Sequence, residues 1–116
     1  MNVENIQHSL REFAAERDWE QFHSPKNLAI ALSVEAAELL EHFQWLSDDE
    51  SRRLREKPLD HAAVREEVAD VLIYLLRLAD ILGLDLNTAV ADKMRKNAEK
   101  YPVALARGNA VKYNRR

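Results

Sequence analysis

The stretch Glu67-Val68-Ala69-Asp70-Val71-Leu72-Ile73-Tyr74-Leu75-Leu76 sets two carboxylates into an otherwise aliphatic run. Leu, Val and Ile dominate from Val68 to Leu84, which predicts a helix buried on most sides. Glu67 and Asp70 stand three residues apart, so a helix puts both on one face, about 5–6 Å from each other. Tyr74 follows one turn on along that face. Burying two like charges is unfavourable unless something positive neutralises them. The sequence offers that face only Arg65 and Arg77, one at each end. A second pair, Glu35 and Glu38 in Ser33-Val34-Glu35-Ala36-Ala37-Glu38-Leu39-Leu40-Glu41, repeats the spacing. Two such pairs on facing helices make a carboxylate cage, and a divalent cation is its simplest neutraliser.

Composition narrows the setting. A chain of 116 residues makes one domain, 1–116, large enough for a real core. It has no cysteine, which excludes disulfides and zinc-thiolate sites and fits a reducing, cytoplasmic compartment. The opening Met1-Asn2-Val3-Glu4-Asn5-Ile6 has no basic region followed by an apolar core, so no signal peptide is expected. Asp70, Arg77 and Asp80 interrupt the longest apolar run, which argues against a membrane span. With two glycines, three prolines and no strand-like alternation, the fold class is all-α. Charge is uneven: residues 1–83 carry nine Lys/Arg against seventeen Asp/Glu, whereas residues 84–116 carry eight against three. An acidic body suits cations and a basic tail suits phosphate, although a plain solvated surface has the same composition. The negative total argues against a nucleic-acid partner.

Four principal helices are expected. The first runs from about Val3 to Arg17, with Val3, Ile6, Leu10, Phe13 and Ala14 as its apolar stripe. Residues 18–25 read as a connection on which Trp19 and Phe22 either cover the bundle end or, for Trp19, stack on a ligand. Ser24 caps the second helix, with Pro25 in its first turn, and the helix is expected to reach about Leu46. Leu28, Leu32, Leu39 and Phe43 form its core stripe; Glu35, Glu38, His42 and Trp45 form the adjacent one. Glu41 falls to one side, and His42 alone reads as a surface or capping histidine. Ser47 to Ser51 opens a short helix ending before Pro58, with Asp48, Asp49 and Glu50 favoured at its N-terminus. Asp60 is expected to cap the third long helix, which runs to about Leu82 with Gly83 as its stop. The fourth spans roughly Leu86 to Glu99 and gathers Lys93, Lys96, Asn97 and Lys100 on one face. A tail from about Tyr101 carries Arg107, Lys112, Arg115 and Arg116.

Three readings of the carboxylates compete. Magnesium takes octahedral oxygen ligands and keeps positions open for substrate phosphates, which four carboxylates from two helices can satisfy. A di-iron bundle needs Glu-x-x-His motifs, yet Glu38 is followed at the third position by Glu41 and Glu67 by Asp70. A purely structural bundle would solvate these acids or pair them with Arg and Lys, and ion-pair networks do imitate sites.

The segments Phe13 to His23, Asn27-Leu28, Glu35-Ala36-Ala37-Glu38, Phe43-Gln44-Trp45, Glu66 to Tyr74, Lys93-Met94, Asn97 and Tyr101-Pro102 resemble the MazG-like nucleoside triphosphate pyrophosphohydrolases, and within them the dCTP pyrophosphatase group. The resemblance runs from about residue 4 to Tyr113. Glu-x-x-Glu, 28 residues, then Glu-x-x-Asp matches that family's metal signature, and the flanking aromatic motifs are more specific than the carboxylates. The resemblance implies a four-helix, all-α fold whose subunits associate through helices as a homodimer or homotetramer. It implies magnesium, with manganese as a substitute, held by Glu35, Glu38, Glu67 and Asp70. It implies hydrolysis of dCTP or a modified dCTP to the monophosphate and pyrophosphate, with Trp19, Trp45, Tyr74 and Asn97 shaping the base and sugar pocket. His23, Lys93, Lys96, Lys100, Arg107 and Lys112 are assigned to phosphate mainly on charge. Where the animal enzymes of the group place a base-lining histidine on the first helix, this chain has Leu10, with His8 nearby, which bears on cytosine preference. A broader triphosphate pyrophosphohydrolase and a non-catalytic helical scaffold are the alternatives.

Overall fold

A computed structural model describes residues 1–115, and Arg116 lies outside the described residues. The described residues contain no strand; the fold is all-α. The described residues form six α-helices: α1 (Val3–Glu16), α2 (Pro25–Glu41), α3 (Asp48–Arg52), α4 (Pro58–Ile81), α5 (Leu86–Lys100) and α6 (Val103–Ala106). Of these, α1, α2, α4 and α5 are the four long ones the sequence predicts. The chain divides into two compact units, Met1–Gly83 and a second from Leu84 onward.

In the first unit α4 packs against α2 along most of its length and against α1 over a shorter stretch. Ala14, Leu28, Leu54, Leu76 and Ala79 are its buried apolar residues. Gln7 is buried with them and donates its side-chain amide to the carbonyl oxygen of Leu76 at 3.0 Å. That bond satisfies a polar group which would otherwise be unfavourable inside the α1–α4 contact. It also adds Gln7 to a stripe that reads as purely apolar in sequence. Much apolar surface stays uncovered within one chain: Ile30 and Val34, one turn apart on α2, and Val68 and Leu75 on α4, are exposed.

Helix ends follow local chemistry. Asn2 caps α1, Ser24 caps α2 ahead of Pro25, and Asp85 caps α5, each accepting a backbone N–H. Ser47 and Glu50 form a reciprocal capping box on α3. Gly83 takes φ +66° just past α4 and donates its N–H to Asp80, as a helix-stopping glycine should. Two expected ends are corrected. Helix α2 stops at Glu41 instead of near Leu46, because the N–H groups of His42, Phe43 and Leu46 bond three residues back, to Leu39, Leu40 and Phe43, tightening the chain into turns in which the Gln44 N–H alone keeps a four-residue bond, to Leu40. The expected stripe of His42 and Trp45 behind Glu35 and Glu38 therefore breaks. Helix α4 starts at Pro58, not at Asp60, because proline's fixed φ and missing N–H suit the first helical position. Asp60 sits instead in the first turn.

The end of α1 has an unusual conformation. Asp18 adopts φ +54°, with its N–H bonded to Ala15 O at 3.2 Å and that of Trp19 to Ala14 O at 2.9 Å. This is the Schellman arrangement with aspartate where glycine is usual. Aspartate tolerates the left-handed region better than most residues, and Gln21 donates to both its carbonyl and its carboxylate. Asp18→Val is expected to lower unfolding free energy by about 1 kcal/mol, and Asp18→Gly to preserve or raise it, as read by chemical denaturation.

In the second unit the tail turns back on α5. Tyr113 stacks edge-on against Tyr101 at 6.0 Å, and the Lys100 ammonium lies 4.9 Å from the Tyr113 ring centre.

Candidate active site

Helices α2 and α4 bring Glu35, Glu38 and Glu67 together: one carboxylate oxygen from each lies within 4.8 Å of the others, and all three residues are half-buried. Asp70 is exposed and outside this trio, one turn further along α4, yet its charge bears on Glu35. The expected facing of Glu-x-x-Glu on Glu-x-x-Asp is thus present, with three acids converging and the fourth at the margin. Glu41, at the end of α2, is exposed.

No cation of the chain is hydrogen-bonded to the trio among the described residues. Oε2 of Glu35 and Oε2 of Glu67 are both buried without a hydrogen-bond partner. Ionised carboxylates only accept, so they cannot satisfy one another unless a proton is shared. Burial, followed by such sharing with Glu67 and Glu38 and by repulsion from Glu38 and Asp70, pushes Glu35 up to about 7. Converging hard oxygen donors with buried, unpartnered lone pairs fit a divalent cation. The cluster can hold one.

Further along the same face of α4, a cavity of about 80 Å³ is lined by Leu10, Phe13, Trp19, His23, Ile73, Tyr74 and Arg77. Glu67, Asp70, Tyr74 and Arg77 recur at helical spacing, and the seven residues from Glu67 to Tyr74 advance about 10 Å along the axis. Trp19 forms the cavity's aromatic centre. Its ring meets Phe13 edge-on at 5.7 Å and His23 at 6.5 Å. The turn at Asp18 presents Trp19 there. Burial foremost, and then the Arg77 charge, lower the pKa of His23, against a smaller opposing influence from Glu20. His23 is therefore neutral near pH 7, which does not suit the charge-based assignment to phosphate.

Trp19, His23 and Tyr74 thus share one pocket, and Leu10 stands on its wall. Trp45, at 87% exposure on the turn after α2, is not among its lining residues. Lys93, Lys96 and Asn97 belong to the second unit and lie exposed along α5. Repulsion from Lys100, foremost, lowers the pKa of Lys93, with a smaller contribution from Lys96, so these lysines form one cationic face. Sequence reasoning missed Phe13, Ile73 and Arg77 as pocket residues. Arg77 carried a signal, as the one cation between Val68 and Leu82.

The raised Glu35 pKa has a measurable sign. Between about 4.5 and about 7 the folded metal-free chain binds more protons than the unfolded one, so Glu35's contribution to stability falls as pH rises through that window. His23, lowered, acts in the opposite sense. Comparison with Glu35→Gln isolates the carboxylate: the variant's unfolding temperature should gain on the unmodified protein's as pH rises through the window. Added magnesium should close that gap at the alkaline end. A difference that stays constant with pH would contradict the buried-charge account.

The MazG-like family model matches residues 30–115. The chain is 52% identical over 111 residues to dCTP pyrophosphatase 1 of Rattus norvegicus and 50% identical over 111 residues to that of Homo sapiens. These alignments take in 96% of this chain and 65% of each mammalian protein, so the chain spans just under two thirds of their length. A crystal structure of a pyrophosphatase from Archaeoglobus fulgidus superposes with a TM-score of 0.79 at 48% identity, covering 85% of this chain and 91% of that one. On the sequence match across most of its length and on the shared helical structure, the chain belongs to the MazG-like family.

Proposed function

We propose that this chain is a magnesium-dependent nucleoside triphosphate pyrophosphohydrolase, with dCTP or a modified dCTP as its preferred substrate. The observation that carries this reading is the cluster of three carboxylates converging from α2 and α4, followed by an aromatic pocket further along the same face of α4. The names of its mammalian relatives and of the archaeal neighbour support the same chemistry. Residues 1–116 act on this reading as one pyrophosphohydrolase domain.

Glu35, Glu38, Glu67 and Asp70 would hold the ion, which when bound supplies Lewis acidity to phosphate oxygens. Manganese, a similarly hard cation, can substitute. Trp19 and Tyr74 offer a ring its apolar contacts. Water adds to phosphorus, the bridge between the α- and β-phosphates opens, and pyrophosphate leaves. The water's proton passes to a carboxylate, and Glu38 is proposed for that role. Trp45, Lys93, Lys96 and Asn97 are proposed to complete base and phosphate recognition where subunits of a homodimer or homotetramer meet. The exposed Ile30, Val34, Val68 and Leu75 support such association, since monomers rarely leave aligned apolar faces to water.

A broader substrate range is the second reading. Leu10 on the pocket wall favours it, because a leucine cannot hydrogen-bond a base edge.

With magnesium and a panel of natural and modified triphosphates, the protein should release pyrophosphate, fastest from a cytosine deoxynucleotide. Orthophosphate as first product would overturn the cleavage position, and equal rates across bases would favour the broader range. Glu38→Gln and Asp70→Asn should each lower turnover about 100-fold or more without loss of folding. Full activity in either would remove that residue from the site.

A further inference from the structure

Beneath the aromatic pocket lies a polar chain that ion binding does not use. Arg77 is buried, 7% exposed, within the aliphatic part of α4. Its Nε donates to Nδ1 of His23 at 3.2 Å. Its Nη1 lies 3.5 Å from Oδ2 of Asp80, and the same oxygen takes Arg11 Nε of α1 at 2.9 Å. Asp80 thus compensates the buried guanidinium and ties it to α1.

This contact constrains the imidazole through donor and acceptor chemistry alone. A guanidinium has only donors, so Nδ1 must offer its lone pair. That excludes both the imidazolium and the Nδ1–H tautomer in this arrangement. The proton then sits on Nε2, at the far edge of the ring, and Nε2 has no hydrogen-bond partner among the described residues. His23 and Arg77 both line the cavity with Trp19 and Tyr74. Apart from the Tyr74 hydroxyl and the Trp19 indole N–H, the other lining residues are apolar, so a fixed N–H on His23 adds to discrimination between rings.

We propose that Arg77 is a positioning residue that locks His23 as the Nε2–H tautomer, so that His23 presents a fixed hydrogen-bond donor to a carbonyl oxygen of the bound base. This assignment rests on the nucleotide reading of the pocket and makes His23 a determinant of base recognition, not a holder of phosphate. An imidazole free to change tautomer would accept from an amino group as readily as it donates to a carbonyl. The arginine removes that ambiguity.

Two measurements test it separately. In protein labelled with nitrogen-15 at histidine, long-range proton–nitrogen spectra of His23 should show an unprotonated Nδ1 and a protonated Nε2 at neutral pH. Arg77→Lys, which keeps a charge for Asp80, should give mixed tautomers. Mixed tautomers in the unmodified protein would overturn the lock, whether or not the variant folds. Calorimetric binding of dCMP should weaken about 10-fold in His23→Leu and recover in part in His23→Gln, while inorganic pyrophosphate binding stays within about twofold. Equal weakening for pyrophosphate would return His23 to the phosphates and overturn the base contact. A locked tautomer in a protein that binds pyrophosphate but no nucleotide would overturn the nucleotide reading of the pocket and this base contact with it. Normal nucleotide binding by a protein with mixed tautomers would sink this inference alone.

Discussion

Repulsion among Glu35, Glu38 and Glu67 is the constraint around which the first unit is arranged. Three acids from two helices converge where water is partly excluded, and two of their oxygens lack any partner. Such an arrangement opposes folding unless the surrounding apolar contacts of α2 and α4 hold the helices together regardless. Leu28 and Leu76, almost wholly buried, belong to those contacts. Part of the stability gained by burial is thus given up to keep a cation-ready cluster, as expected where binding has been favoured over maximal stability.

The second polar system of the unit obeys the opposite rule. Arg11, Asp80, Arg77 and His23 form a compensated chain in which each buried charge has a partner. One face of α4 therefore carries an uncompensated anionic end at Glu67 and a satisfied cationic end at Arg77, with Tyr74 between them. On the proposed reading, a cation held at the acidic end lets this face orient a ligand that is anionic there and ring-shaped at the other end.

What could be read from the sequence was local or periodic. Capping by Ser24 ahead of Pro25, the stop at Gly83 and the short helix opened at Ser47 depend on neighbours in the chain, and each is found where expected. The carboxylate pairs were legible because they interrupt aliphatic stripes. Features that depend on another helix were not. Gln7 is buried only because the Leu76 carbonyl of α4 awaits it, and Arg77 only because Asp80 and His23 receive it. The stop of α2 at Glu41 was missed because no glycine or proline marks it, and that single error carried Trp45 onto a helical stripe it does not share. Asp18 was hidden for a similar reason: nothing in its identity announces a positive φ.

The hydrogen bond from Gln7 to Leu76 fixes the register of α1 along α4. Leu10 and Phe13, one and two turns further along that helix, consequently reach the cavity, while the acids of α2 and α4 make no demand on α1. The α1 side of the cavity is thus separable from the carboxylates, whereas Tyr74 and Arg77 share α4 with Glu67. On the proposed reading the amino-terminal helix is an interchangeable wall: substitutions on it would redirect which ring is admitted while leaving the carboxylates untouched, a route to new selectivity that does not pass through loss of chemistry.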